Sequence, residues 1–596
     1  AQRRAWAGSN PMRSGRSLLL LGWCLPAGSL SLLARPHSLG RKRTPHPRAS
    51  ESPPAEVDVA VIGGGPAAYT IAALLSRDEH SVALIDPAPD GAWPNNYGSW
   101  RVEWEALAER LQMPELLECV ASDWKVTDVF FGGSFDTPFD DRIRLDRGYL
   151  QVDRLKLKAA LQARHKAGGV QLLCGSVRAN NVAPNLFDAN LAHDATGSSL
   201  TLSPGGEPLR ARMVVDATGF ESRMVRREAP AAGGLWEEIP PGYQIAYGMR
   251  VAVKGGRLAP FKAEAMTLFD YRTDHLEGTD MLADAEARPS FVYVMPYGDG
   301  GLSDEGTLDV FFEETSLVGR DERRLEFPLL KRRLLKRLEF HGIEYAPESV
   351  REEEFCYIPM GGALPDSEQR IVPFGGAANT VHPATGYQLC RMLCSSTDVA
   401  QALTTELRRP DFEPDAAAAA AHAALWPRAS RLQRDFAVFG GEFLGSQPVE
   451  ILRGFFSAFF QLEPQVWGGF LAGWPGLPGN ENHATYAARL RFGISIFLKF
   501  PAKVATTFVA YLATFTARYG PLVLQSIFTP LFEIGPAAPK PDEGLRARRD
   551  ATRAVYQAGD TRAKLEAVAM LREGRGEPSP QVALLEEEGE ATALKK

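Results

Sequence analysis

Glu313 and Glu314 stand side by side, directly after the apolar run Val310, Phe311 and Phe312. Two carboxyls in an apolar setting suit acid–base work. Burial raises a carboxyl's pKa, and a like charge beside it raises one of the two further. One can then stay protonated near neutral pH as a general acid while the other is ionised. On an extended strand, adjacent side chains point to opposite faces. Both therefore reach one site only if the strand breaks there, as at a bulge. The competing expectation is a surface strand end, paired with Arg320 or Lys331. Asp270, Arg272 and His275 form a second polar group, able to orient a ligand, to accept a proton, or simply to knit a salt-bridge network.

A second chemistry lies earlier in the chain. Gly63, Gly65 and Ala68 form G-x-G-x-x-A straight after the strand-like "VDVAVI". The first glycine allows the tight turn, the second lets the backbone approach a pyrophosphate, and the small third residue lets helix and strand pack closely. Pro66 and Ala67 open the helix whose N-terminus faces the phosphates. Asp86, near the end of the next strand, is placed to accept ribose hydroxyls. This pattern predicts dinucleotide binding. The strand ending in Ala217, Thr218 and Gly219 resembles the second nucleotide-contacting motif of flavoproteins with two dinucleotide-binding domains. The segment with Gly375, Gly376, His382, Pro383 and Gly386 resembles the stretch that closes over their flavin ring, with Gly376 where an acid usually stands. FAD is therefore the expected cofactor. Arg147 and Arg154 are candidates to reach it, or else solvated helix residues.

Several elements must hold these groups. "SVALIDPAP", "VQLLCGSV" and "ARMVVDATGFES" read as strands around the glycine turn. "YQIAYGMRVAV", "AMTLFDY", "SFVYVMP" and "LDVFFEET" suggest a mainly antiparallel layer. The expected fold is α/β: a Rossmann-like FAD-binding domain interleaved with an antiparallel-sheet substrate domain, as in flavin monooxygenases, plus a C-terminal helical region. The expected divisions are a targeting sequence and linker (1–55), the FAD-binding domain (56–230 and 351–400), the substrate domain (231–350), a helical membrane-associating region (401–535), and a charged helix with a disordered tail (536–596).

Composition narrows the classes. The six cysteines form no CxxC pair and the ten histidines are scattered, so neither a disulfide scaffold nor a metal centre is expected. Net charge is −7, and no nucleic-acid partner is expected. Residues 1–50 carry nine Lys/Arg and no acid. From Met12 they read as a short apolar signal followed by an Arg/Ser/Pro-rich transit segment, which fits import into a plastid. Between Glu481 and Glu533 there is no acid. There Val504, Phe508, Tyr511, Leu512, Phe515 and Tyr519 fall on one face of a basic helix, read as lying on a membrane surface or packed on the core.

The order of short stretches is more specific. "AWPNNYGSW", "PGYQIAYGM", "FDYRTDHL", "SFVYVMP", "FFEETSLV", "IPMGGALP", "VHPATGY", "LWPRASRLQRDFAVFG" and "FFSAFFQLEPQVWGGFL" run in sequence through residues 56–500. Together they resemble the plant-type lycopene cyclases, and "FFEETSLV" and "FFSAFFQLEP" look closest to the β-cyclases. The resemblance implies cyclisation of linear carotenoid ends, lycopene to γ- and β-carotene, without net redox change. It also implies a bound FAD active in its reduced form, NAD(P)H as reductant, and possible contact with other carotenoid enzymes. It marks Glu313 as the acid, with Glu314 in support. Trp93, Tyr97, Trp100, Asp270, Tyr293, Phe311 and Phe312 are then candidates to line a polyene tunnel. Other readings are an ε-cyclase, an epoxycarotenoid-rearranging relative, a flavin monooxygenase or prenyl reductase, and a carotenoid-binding flavoprotein without catalysis.

Overall fold

The computed structural model describes residues 55–131, 142–177, 191–203, 208–222, 224–227, 240–298 and 300–519. The presequence, the charged helix and the C-terminal tail expected from the sequence lie outside them. The description below concerns these residues.

Two seven-stranded sheets organise the chain. In the first, Ala55–Ile62 lies between Val82–Asp86 and Pro208–Asp216, parallel to both. Gln171–Cys174 extends it on one side, and the antiparallel strands Gly197–Thr201 and Leu191–Asp194 on the other. Val372–Pro373 pairs with Pro208–Asp216. The central strands are buried on both faces, which is why they read as continuous apolar runs. Pro66–Arg77 and Leu389–Leu407 contribute to the core on this sheet. Pro66 suits the first helical turn, where its missing N–H has no partner to lose.

The second sheet runs in the order Glu352–Met360, Gly242–Lys254, Thr307–Ser316, Ser290–Pro296, Met266–Asp270, Thr127–Phe130, Arg142–Leu145. All pairs are antiparallel except Met266–Asp270 with Thr127–Phe130. This sheet takes strands from both sides of 231–350, so the chain passes between the two sheets more often than the sequence suggests. A third, small sheet is formed by Tyr97–Trp100, Tyr149–Val152 and Val120–Trp124.

Each face of the second sheet has its own cover. The helix Phe327–Phe340 lays Phe327, Leu330, Leu334 and Leu338 on one face, against Ile245, Val292, Val310 and Phe312. Their spacing is that of one helical stripe, and each buried side chain contributes about 1.5–3 kcal/mol. The other face carries Phe269, Phe291, Tyr293, Phe311 and Met295. It meets Phe456, Phe459 and Phe460 at the end of Val449–Phe459, and Trp467 and Leu471 of Pro464–Ala472.

The aromatic face of Ala502–Tyr519 is not free. Phe508, Tyr511 and Phe515 stack edge-on or tilted against Phe439 of Arg428–Ser446. That corrects the membrane-facing reading of this stripe: an internal apolar partner already covers it. No described helix is long and apolar enough to cross a membrane.

Candidate active site

The glycine turn is built for close approach. Gly63 has φ +138°, and a Cβ there would sit 2.5 Å from the Ala217 carbonyl oxygen. So the turn and the end of Pro208–Asp216 are in contact, and only glycine fits between them. A Cβ on Gly65 would meet nothing within 4 Å. That open space lies beside the free N–H groups of the Pro66–Arg77 helix, where a pyrophosphate is best received. Asp86 accepts from the Tyr69 hydroxyl at 2.9 Å and from the Ala88 N–H at 2.8 Å. Asp216 accepts from the Thr218 N–H at 2.9 Å and its hydroxyl at 2.7 Å, which fixes the Ala217–Gly219 bend. Gly219 also faces open space, and Gly376 lies against it. Gly375, at φ +61°, packs on Ala67. The glycine turn, the 217–219 bend and the 375–377 turn therefore meet at one end of the first sheet, and these residues fit a dinucleotide such as FAD.

Other candidates take different places. His382 is buried; its backbone N–H donates to the Tyr387 carbonyl at 2.8 Å and its ring Nδ1 accepts from the Ala384 N–H at 3.2 Å. Pro383 presents its carbonyl to Gly441, and Gly386 (φ +74°) lies against the Gln244 amide. Arg147 donates to Glu103 at 3.3 Å and to the Pro464 carbonyl at 3.1 Å. Its guanidinium lies 5.0 Å from the Trp100 ring and 5.2 Å from the Trp467 ring. Arg147 and Trp100 thus tie the small sheet to the C-terminal helices. Arg154 binds the Pro94 carbonyl and Glu352, both at 2.8 Å. Trp93 donates to the Gly64 carbonyl at 2.6 Å, at the nucleotide turn.

The two glutamates part company. Thr307–Ser316 runs without a bulge: Glu313 pairs with Gly248 and Tyr293, Glu314 with Tyr247 and Val292. Adjacent residues on such a strand face opposite sides. Glu314 points toward Phe327–Phe340. It accepts from the Ser290 hydroxyl at 2.7 Å and from Arg337 at 3.2 and 3.3 Å. Arg337 also reaches Asp270, which holds Arg272 in a two-pronged ion pair at 3.0 and 2.8 Å. Glu314, Asp270 and Arg272 belong to one buried ion network, and Phe312 lies on the same side. The support expected of Glu314 is therefore not given from within one site.

Glu313 faces the other way, in a row across four strands: Glu354, Gly248, Glu313, Tyr293. The oxygens of Glu313 and Glu354 and the Cys356 sulfur all lie within 4.8 Å of one another. Burial, and then the charge of Glu354, pushes Glu313 up to about 8. Burial and Glu354 also hold the Cys356 thiol well above its usual range, so it offers no thiolate to a metal. Tyr97 lies close enough to feel Glu354 and Cys356; Tyr149 and Tyr293 feel Glu313. A second buried acid, Glu103, is raised to about 8 by burial, against the pull of Arg147.

Glu354 did not emerge from sequence reasoning, nor did Asn96, which holds it. Asn96 sits inside the quoted "AWPNNYGSW". Glu352, Glu354 and Cys356 alternate along "REEEFCY", and that period of two was the available signal.

Fold and site define an α/β protein with a glycine turn that fits a dinucleotide and a paired-carboxyl site on a second sheet. Residues 58–481 match the family model described as lycopene cyclase protein. The chain is 34% identical over 447 residues to lycopene beta cyclase, chloroplastic, of Arabidopsis thaliana, covering 74% of this chain and 77% of that one. It is 35% identical over 443 residues to the Nicotiana tabacum protein of that name, with the same coverage. It is 34% identical over 421 residues to neoxanthin synthase of Solanum lycopersicum, covering 70% of this chain and 75% of that one. Solved structures give remoter likenesses. A geranylgeranyl bacteriochlorophyll reductase-like protein of Thermoplasma acidophilum has TM-score 0.45 and 14% identity, covering 68% and 91% of the two chains. A probable FAD-dependent monooxygenase of Pseudomonas aeruginosa has TM-score 0.43 and 18% identity, covering 68% and 100%. The chain belongs to the lycopene cyclase family.

Proposed function

We propose that this chain closes the linear ends of lycopene into β-rings, giving γ- and then β-carotene, with Glu313 as the proton donor. One observation carries the assignment of the acid: Glu313 is a carboxyl raised to about 8 beside Glu354, on the aromatic face of the sheet. Its proton goes to the terminal alkene of the substrate. The neighbouring double bond attacks the resulting cation and closes the ring, and loss of a ring proton restores a neutral polyene. Glu313 is left as a carboxylate beside the cation, and the rings of Tyr293 and Phe311 present their electron-rich faces to it. Gly63, Gly65, Ala68, Asp86 and the 217–219 and 375–377 bends would hold FAD. When bound, FAD in its reduced form would supply negative charge to offset the cation, and NAD(P)H would be its reductant.

The test is expression in a lycopene-making bacterium. The full chain yields β-carotene, and Glu313→Gln leaves lycopene. Lycopene left untouched by folded, flavin-loaded wild-type protein rejects the assignment. The neoxanthin synthase likeness favours one second reading, an epoxide-opening activity by the same acid. Feeding an epoxycarotenoid separates the two.

A lipid-soluble substrate calls for a membrane surface. In Tyr486–Phe497 and just beyond, Leu490, Ile494 and Leu498 are 44%, 53% and 78% exposed. Arg491 and Lys499 stand among them. This face is suited to lie on an anionic bilayer. Ile494→Glu with Leu498→Glu should abolish co-sedimentation with anionic vesicles, and unchanged binding would reject the face. The plastid is the expected compartment.

A further inference from the structure

The row on the second sheet assigns a task to a residue outside the doubled glutamates. We propose that Glu354 is the second carboxyl of the acid: it and Glu313 hold one proton between them across Gly248, and Asn96 keeps the charge on Glu354 and the proton on Glu313. This rests on the cyclase reading for its chemistry but not for its geometry.

Three features support it. First, the two carboxyls come from different strands, Glu352–Met360 and Thr307–Ser316, and are brought within 4.8 Å by their shared neighbour, Gly248. A side chain on Gly248 would collide with the Phe311 ring at 2.4 Å, so glycine keeps that ring down and the row open. Second, the donors are unequally shared. Asn96 gives Glu354 its backbone N–H at 3.0 Å and its amide at 2.7 Å, and the Cys356 thiol donates at 3.0 Å. Among the described residues, none donates to Glu313. Donors favour the ionised form of the group they reach. Third, the surroundings are short of mobile charge. Facing the pair are Tyr97 and Tyr149 of the small sheet, Tyr293 beside Glu313, and Glu352, whose charge Arg154 matches at 2.8 Å. The Arg250–Asp309 pair, with Tyr297 under the guanidinium, neutralises the neighbouring row. No cation other than those two paired arginines approaches among the described residues, so proton sharing is the available way to hold two carboxyls together.

The test is infrared titration of the full chain from pH 5 to 10, with Glu313→Gln and Glu354→Gln. A protonated-carboxyl band that Glu313→Gln removes should titrate near neutral pH in the wild type. In Glu354→Gln its midpoint should fall by about one pH unit or more, because the neighbouring charge is gone. In Asn96→Ala the Glu313 band should weaken and its midpoint move the same way, as charge on Glu354 is no longer favoured and the shared proton passes to Glu354. The band of Glu103, unchanged in all three, reports that the fold is intact. A midpoint unmoved in a folded Glu354→Gln protein, or a band that Glu313→Gln leaves in place, overturns the proposal. The alkaline limb of cyclisation should shift with the band. If the band shifts but wild-type protein forms no ring, the function assignment fails and the carboxyl pair stands.

Discussion

At the scale of single residues, Glu313 and Glu314 separate by what each touches. Glu314 is sealed in an ion network with Ser290 and Arg337. Removing one partner of such a buried pair leaves an uncompensated charge and costs about 3–5 kcal/mol. Glu314→Gln should therefore lower the denaturation midpoint sharply, while protein that remains folded keeps the pH profile of the wild type. A changed profile with unchanged stability would contradict the separation. The alternation behind it was legible in advance, since two adjacent strand residues cannot share a face without a bulge. Which face holds which glutamate was not, because that depends on Arg337, which arrives on a helix more than twenty residues later.

At the scale of elements, the strand–turn–helix around Gly63 was readable because each of its glycines answers a local demand. Gly65 offers a clean test. Its φ is −90° and a Cβ there meets no atom within 4 Å, so Gly65→Ala leaves the fold alone. The new methyl occupies the phosphate approach. The purified variant should show wild-type thermal stability without added cofactor and reduced flavin absorbance; full flavin loading would place the pyrophosphate elsewhere. Glu354 was hidden for the opposite reason. Three acids in a row, "EEE", give no sign of which one turns inward, and only the register of Glu352–Met360 against Gly242–Lys254 reveals that the third meets Glu313. The surroundings of Arg147 were hidden similarly, because its two tryptophan neighbours come from distant segments.

At the scale of the whole molecule, two raised acids and a set of buried histidines pull the pH response in opposite senses. Glu103 and Glu313 are raised in the folded protein to about 8 from an ordinary value near 4.5. Their protonated forms favour folding below the unfolded value, and that stability declines as pH rises toward about 8. Paired acids such as Glu115 and Asp58, held below their usual range, act in the opposite sense and only at acid pH. Buried histidines such as His275, His341, His382 and His483, held below their usual range, act in the opposite sense over the same interval, since the unfolded chain protonates them first. Against that background Glu103→Gln should make the denaturant midpoint climb more steeply from pH 5 to 8 than in the wild type; an unchanged slope would contradict the Glu103 assignment. The aromatic helices over the second sheet then acquire a second meaning. With Glu313 as the proposed acid, Phe456, Phe460 and Trp467 would do more than stabilise the sheet, because a carbocation formed on this face survives only while water is kept out. A loosened seal would show not as slower turnover but as a leak, with carotenoids emerging hydrated at the end that should have become a ring.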